Sequence, residues 1–241
     1  MKQILFTVYF WLIAVPVLCA ATVVTALLTI VLSPLFPDSK LSYFPARSWA
    51  RFVCFVLFVR VKISGMEHID PKQSYVFVLN HQSYFDIFIV YGWLPSIFKW
   101  IMKSELRKIP FVGLACQAAG HIFIDRSSPV AASKSVEKAK EQLQHGVSVV
   151  VFPEGTRTRD GKMQPFKRGA FRIAADLELP IVTATLIGSY ERFPRTTSRF
   201  TPGKVELRIH KAIDVKPYLP DKISELIDFT WKEINSELVT V

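Results

Sequence analysis

Cysteine is scarce in this chain of 241 residues. Cys19, Cys54 and Cys116 stand far apart, which excludes a disulfide scaffold and a cysteine-rich zinc site. Several catalytic signatures are also missing. Without a Gly-x-Ser-x-Gly elbow there is no serine nucleophile of the α/β-hydrolase kind. Without Gly-x-x-x-x-Gly-Lys-Ser/Thr there is no P-loop. No His-Glu-x-x-His and no close Cys pair supports a metal site, so a metal hydrolase would rest on His81, Asp86, His121 and Glu154 alone. Internal repeats, low-complexity tracts and obvious linkers are absent too. Acidic side chains are the minority, 20 Asp+Glu against 30 Lys+Arg, for a formal net charge of +10. That balance points to an anionic partner: nucleic acid, anionic lipid or a phosphorylated substrate. A hydrophobic share of 50% excludes a disordered chain.

Charge vanishes altogether between residues 3 and 37. A membrane-spanning helix needs roughly 20 apolar residues, and Ile4 to Leu32 exceeds that. Tyr9, Phe10 and Trp11 lie near one end; Pro34 and Pro37 mark the other. The alternative is a secretory signal peptide. Leu18-Cys19-Ala20 is a poor cleavage site, and the apolar run outlasts an h-region of about 7–15 residues. A second apolar segment runs from Leu41 to Val59, with Arg47 and Arg51 one helical turn apart on one face. Such a helix suits the membrane interface. Basic residues follow the first helix (Lys40, Arg47, Arg51, Arg60, Lys62), and only Lys2 precedes it. The positive-inside rule then places residues 60–241 in the cytoplasm. A shallow hairpin in one leaflet would favour the same side through anionic lipid. Residues 1–60 therefore read as membrane-anchoring helices and 61–241 as a separate domain.

That domain reads as α/β, a largely parallel sheet flanked by helices. Strand-length apolar runs recur at Tyr75–Leu79, Phe98–Met102, His121–Ile124, Val147–Phe152, Ile181–Leu186 and Val205–His210. They are continuous more than alternating, as in strands covered on both faces. A helix is expected from Ser128-Pro129 to Gly146, and a last one after Asp221. Polar clusters follow the strands: Asn80 to Asp86, Lys103 to Glu105, Asp125-Arg126, and Pro153 to Arg157. Ligands of open α/β sheets bind at the carboxyl ends of the strands, so four clusters at four such ends point to one site.

On one continuous helix, His81 and Asp86 would stand about 140° apart. They meet only if His81 ends a strand and Asp86 begins the next helix. The carboxylate then fixes the imidazole tautomer and leaves one nitrogen free as a base. Ser83 has no mechanical claim as a nucleophile, so the base acts on a substrate hydroxyl directly. Gly155 allows close backbone approach to a ligand. Arg157 offers a bidentate fork for phosphate, with Arg159, Lys162, Lys167, Arg168 and Arg172 after it and Lys103 and Arg126 on the rim. The bland alternatives are a helix cap for Asp86 and a solvated basic loop for the cations.

The strings NHQSYFD, GHIFIDR, FPEGTRTRDGKMQPFKRGAF and LPIVTATL follow in this order. In these motifs the chain resembles the glycerolipid acyltransferase family centred on lysophosphatidic acid acyltransferase, also called 1-acylglycerol-3-phosphate acyltransferase. The match covers roughly residues 60 to 215. The resemblance implies an α/β domain behind a membrane anchor, with His81 as general base and Asp86 orienting it. It implies that Arg157, with Glu154, Gly155 and Thr156, binds the substrate phosphate, with Lys103 and Arg126 near it. Phe123, Asp125 and Arg126 match an acceptor-binding block, and Pro180 a block that shapes the pocket or binds the acyl donor. Thr183 departs from the family, which often has a second proline there, and Thr158 stands where serine is common.

The implied reaction moves an acyl group from a thioester of coenzyme A or acyl carrier protein to a lysophospholipid hydroxyl, giving phosphatidic acid. No metal or cofactor is required. Backbone amides in the Asn80–Gln82 turn are the expected oxyanion donors. The implied partners are membrane lipids, the lysophospholipid acceptor and the thioester donor. The implied location is the cell's inner (plasma) membrane, catalytic domain toward the cytoplasm. A nucleic-acid partner is disfavoured because the aromatics lie in the anchor and the strands, not among the basic loop residues. A non-catalytic scaffold would have no need of His81 and Asp86. Cys116, in an apolar helical stretch, reads as an inert thiol; His121 is expected in the pocket wall and His145 at a helix end.

Overall fold

The computed structural model describes residues 2–125, 147–197 and 200–239. Arg126, His145 and the helix expected from Ser128 to Gly146 lie outside the described residues.

The uncharged N-terminal run forms one apolar rod: α1 (Lys2–Tyr9), a π-helical stretch (Phe10–Ala14) and α2 (Val15–Leu35), whose last turn holds Pro34. Residues 36–39 reverse the chain, and Ser39 caps α3 (Lys40–Val56) by accepting the Ser42 amide at 3.2 Å. The two helices run antiparallel. Trp49 Nε1 donates to Thr22 Oγ1 at 3.0 Å, and Tyr9 OH donates to the Val56 carbonyl at 2.9 Å. The second apolar segment is thus divided, for beyond a turn at Phe58 the chain enters strand β1 (Val59–Ser64).

Six further strands complete the sheet: β2 (Val76–Leu79), β3 (Phe98–Lys103), β4 (Ile122–Ile124), β5 (Ser148–Val151), β6 (Ile181–Ile187) and β7 (Gly203–Ile213). They form at the six expected runs. Their order is β1-β7-β6-β2-β5-β3-β4. The five strands from β6 to β4 are mutually parallel, whereas β7 runs antiparallel to β6 and carries β1 parallel to itself. The sheet is therefore largely parallel with a reversed edge.

Side chains alternate between two buried cores, as the strand period of two requires. Phe77, Leu79, Val182, Ala184 and Leu207 face α3 and α4 (Phe85–Trp93). Val76, Val78, Val149, Val151 and Ile181 face α6 (Gly169–Asp176) and α7 (Ile223–Val239), where Leu226, Ile227 and Ile234 are buried. Among the described residues the remaining α-helix, α5 (Val112–Ala118), joins β3 to β4 and packs on α2.

The helical hairpin lies along the first of these layers. Near one end, Phe6 and Phe10 pack on Phe200, with ring centroids 5.6 and 6.1 Å apart; at the other, Asp38 pairs with Lys99. Outward it presents Ile4, Val8, Leu12, Val24, Leu28, Val31 and Leu35 to solvent. Ile4–Leu35 is long and apolar enough to cross a membrane, and only 11% of its most apolar window is buried. The basic face of α3 does not join that apolar surface. Arg47 Nη2 donates to the Leu94 carbonyl at 2.6 Å, and Arg51 Nε to the Gly92 carbonyl at 2.8 Å. Both cations sit at the carboxyl end of α4, where the helix dipole favours them.

Asn80 continues the β2–β6 ladder with its side chain. Its Nδ2 donates to the Leu186 carbonyl at 2.9 Å, and its Oδ1 accepts the Leu186 amide at 2.8 Å. Asn80→Ala is expected to cost about 1–3 kcal/mol for each backbone partner left unsatisfied. Thermal unfolding in detergent checks this; an unchanged midpoint would contradict it.

Candidate active site

The strands β2, β5, β3 and β4 are neighbours and parallel, so their carboxyl ends share one edge. The four polar clusters begin there, which is where open α/β sheets place ligands. His81 follows the end of β2, and Asp86 lies in the first turn of α4. That bend brings Asp86 Oδ2 to 2.8 Å from His81 Nδ1. The same oxygen accepts the amides of Gln82 at 2.7 Å and Ser83 at 2.8 Å. Asp86 is fully buried, and its Oδ1 has no hydrogen-bond partner. A carboxylate oxygen only accepts, so the ring nitrogen facing it carries the proton. Nε2 then holds the lone pair, and among the described residues nothing hydrogen-bonds to it. The His81 ring also stacks on Phe152, centroids 4.0 Å apart and planes within 8°. Carboxylate and phenyl ring together leave the imidazole little freedom.

Ser83 is buried. Its hydroxyl donates to the Phe193 carbonyl at 3.0 Å and accepts the Phe85 amide at 3.1 Å. It is a fixture of the turn, not a nucleophile. Cys116 has a thiol pushed up to about 11 by burial, so the reactive thiolate is scarce at neutral pH.

Glu154 is turned inward. Its Oε1 accepts the His81 amide at 2.6 Å, and its Oε2 accepts the Gln164 amide at 2.7 Å. The sequence grouped it with the phosphate-binding residues, but with both oxygens held on backbone amides it braces the His81 turn instead. The Asn80–Gln82 amides are also reassigned. Those of His81 and Gln82 already serve Glu154 and Asp86, so neither is available to an oxyanion.

Gly155 has φ +75°, a left-handed turn that side chains disfavour. It sends the chain into Thr156 and Arg157, and the Thr158 amide returns to the His81 carbonyl at 3.0 Å. Thr158 Oγ1 meanwhile donates to Asp160 at 2.9 Å, a bond that serine would make equally well. The Arg157 guanidinium lies 3.3 Å above the centre of the Tyr84 ring, and its buried Nη1 has no hydrogen-bond partner. An unpaired cationic donor on the loop adjoining His81 suits an anionic oxygen. Arg195 Nη1 donates to Thr156 Oγ1 at 2.8 Å and fixes this loop from the outside.

Lys103 is the exposed last residue of β3, in register with Ile124, and Asp125 follows β4. β3 stands two strands from β2, about 10 Å at the usual spacing, so Lys103 lies on the same edge. Phe123 is buried in β4 beneath the Arg107 guanidinium, 4.5 Å from its ring centre. Pro180 is not brought to the site. It precedes β6, and its carbonyl accepts the Val76 amide at 3.0 Å at the amino end of β2. The length of β2 separates it from His81. Thr183, where the resemblance led to a second proline, donates its hydroxyl to Glu233 of α7 instead. His121 likewise sits at the amino end of β4. Burial lowers it to about 3, and it bonds Tyr91 OH at 2.7 Å, so it is a neutral core residue, not part of the active-site wall. Among the described residues no three His, Cys, Asp or Glu side chains converge as metal ligands. Sequence reasoning missed the roles of Phe152 and Tyr84; each stands beside a motif it supports, in FPEGT and NHQSY, which was the available signal.

A family model described as Acyltransferase matches residues 60–187. Human 1-acyl-sn-glycerol-3-phosphate acyltransferase alpha is 39% identical over 171 residues, 70% of this chain and 60% of its own length. The chloroplastic 1-acyl-sn-glycerol-3-phosphate acyltransferase BAT2 of Brassica napus is 35% identical over 176 residues, 72% of this chain and 51% of its own. The crystal structure of the 1-acyl-sn-glycerophosphate (LPA) acyltransferase PlsC from Thermotoga maritima superposes with a TM-score of 0.80. At 30% identity it covers 98% of this chain and 94% of that one. The chain spans about 60% of the length of the human relative it matches.

Burial pushes the Glu154 carboxyl up to about 7, against the pull of its two amide bonds, and nearby Asp86 adds to the rise. A raised folded value favours the protonated acid in the folded state. Its stabilisation is complete below the ordinary value of 4.5 and is lost as pH climbs to about 7. The thermal midpoint of the wild type should therefore fall across that window relative to Glu154→Gln. Parallel midpoint–pH curves would contradict this.

Proposed function

This chain belongs to the acyltransferase family that includes the 1-acylglycerol-3-phosphate acyltransferases, and we propose that it acylates the free hydroxyl of 1-acylglycerol-3-phosphate to give phosphatidic acid. The donor is a fatty acyl thioester of coenzyme A or acyl carrier protein. The observation that carries the reading is His81, bonded through Nδ1 to Asp86 at 2.8 Å with Nε2 left open, its carbonyl bonded to the loop that carries the unpaired Nη1 of Arg157.

In the reaction, His81 Nε2 takes the proton of the acceptor hydroxyl as its oxygen attacks the thioester carbonyl. Asp86 stabilises the imidazolium that forms. The tetrahedral intermediate collapses, the C–S bond breaks, and the proton passes from His81 to the departing thiolate. Ester and thiol are the products, and no covalent enzyme intermediate is needed. Arg157 holds the phosphate monoester, and Lys103 approaches it from the neighbouring strand end. Correct positioning supplies about 7–11 kcal/mol of effective concentration.

Both substrates are amphiphiles, so the enzyme works at the membrane. The rod α1–α2 is about 50 Å long at 1.5 Å per residue, longer than a hydrocarbon core of about 30 Å. Both of its ends contact the α/β domain, so it lies beside that domain with its apolar stripe outward. This favours a hairpin lying in one leaflet over a helix crossing the bilayer. Anionic lipid and the basic residues after the rod favour the cytoplasmic leaflet of the inner membrane.

His81→Ala should lower transfer of a labelled acyl group to lysophosphatidic acid by about 10²–10⁴-fold, while Cys116→Ala retains it. Full activity in the histidine variant would remove the base. Arg157→Ala should raise the acceptor KM about 10–100-fold, the loss of a charged hydrogen bond. A zwitterionic lysolipid should lose less; equal losses would mean that Arg157 does not read the phosphate.

A further inference from the structure

A second exposed apolar face lies between β3 and β4, and the chemistry above does not use it. Leu106 is 39% exposed, Ile109 43%, Phe111 46% and Leu114 59%. They occupy a 3-10 turn (Ser104–Lys108), the bend after it and the outer side of α5. The scaffold beneath is tight. Ala115 and Gly113 are buried, and a Cβ on Gly113 would come within 2.1 Å of the Arg107 carbonyl oxygen. Phe111 holds φ +58°, a left-handed conformation costly for a residue with a side chain. A fixed, partly strained backbone therefore presents four large apolar side chains to solvent.

Two features identify what covers them. Lys103, Arg107 and Lys108 border the patch against the single acid Glu105, a balance that complements anionic headgroups. And α5 packs on α2, the helix that carries the outward apolar stripe of the hairpin.

We propose that residues 106–114 form a second membrane-contact element. It seats Leu106, Ile109, Phe111 and Leu114 at the headgroup–acyl boundary of an anionic leaflet and sets Arg107 and Lys108 against lipid phosphates. Interfacial elements of this kind bury their apolar face by roughly 5–10 Å. Lys103 ends β3 on the edge that carries the site, so this contact presses the mouth of the active site against the lipid surface from which the acceptor comes. The inference rests on the membrane reading of α1–α2.

The test uses the full chain with Cys19→Ser, Cys54→Ala and Cys116→Ala, carrying one fluorophore-labelled cysteine. Leu114→Cys probes the patch, Leu28→Cys the hairpin, and Asp228→Cys the opposite side of the sheet. Each is placed in nanodiscs of phosphatidylglycerol and phosphatidylethanolamine. Quenching by an acyl-chain nitroxide lipid is compared with quenching by aqueous iodide. Position 114 should match position 28 and exceed position 228 about threefold in lipid quenching, as expected for interfacial burial. Should 114 behave like 228 while 28 is quenched, this inference fails and the hairpin reading stands. Should 28 and 114 both behave like 228, the membrane reading itself fails. Shielding of 114 from both quenchers would mean that protein covers the patch, a second copy included, and would overturn the proposal. A label-free arm uses the native-cysteine chain carrying Phe111→Gln and Leu114→Gln. Its rate on 1-acylglycerol-3-phosphate in phosphatidylglycerol vesicles should fall about tenfold, with less than about a twofold change on a short-chain monomeric acceptor. Equal losses on both acceptors would overturn the proposal.

Discussion

One carboxylate oxygen organises the active site. Asp86 Oδ2 accepts the His81 ring and the amides of Gln82 and Ser83. These bonds tie the end of β2 to the start of α4, so the carboxylate that orients the imidazole also shapes the turn that carries it. Glu154 braces the other side of that turn through the His81 amide, and Phe152 closes over the ring. An imidazole built this way is held in one place and one tautomer, which under the proposed function is the condition for efficient proton transfer.

The sheet explains why Arg157 stands on the loop next to that of His81. β2 and β5 are parallel neighbours, so the loops that leave their carboxyl ends are adjacent. Gly155 turns the second loop back, and the Thr158 amide joins it to the His81 carbonyl. Arg157 is then supported on Tyr84, a residue of the first loop. Each loop carries a part of the other's machinery. The apolar rod α1–α2 packs on α3 and α5 and turns its unburied face outward; under the proposed function that face joins a site for amphiphiles to a surface for lipid.

Much of this was legible in the residues. Continuous Val, Ile and Phe runs marked the buried strands, because strands covered on both faces have no polar side to alternate with. The five-residue spacing of His81 and Asp86 permitted contact only across a strand–helix bend, and that bend exists. Long-range partners were less legible. β1 was hidden because the apolar stretch from Leu41 to Val59 runs unbroken through the end of a helix and the start of a strand. Arg47 and Arg51 looked like an interfacial face because nothing local reveals that the carboxyl end of α4 needs cations. Glu154 sits in a string that the resemblance ties to phosphate binding, and only its distant amide partners expose it as a brace. Pro180 has a neighbouring strand that places it at the wrong end of the sheet, a matter of register that one strand's sequence does not encode.

The central claim is the protonation pattern of one imidazole, and nitrogen NMR of the histidine-labelled enzyme in detergent observes it directly, with His81→Gln assigning the signal. The account predicts that the unprotonated His81 ring carries its hydrogen on Nδ1, with a pyridine-type Nε2, and that Asp86→Asn disturbs this preference. A hydrogen resident on Nε2 in the wild type would contradict it.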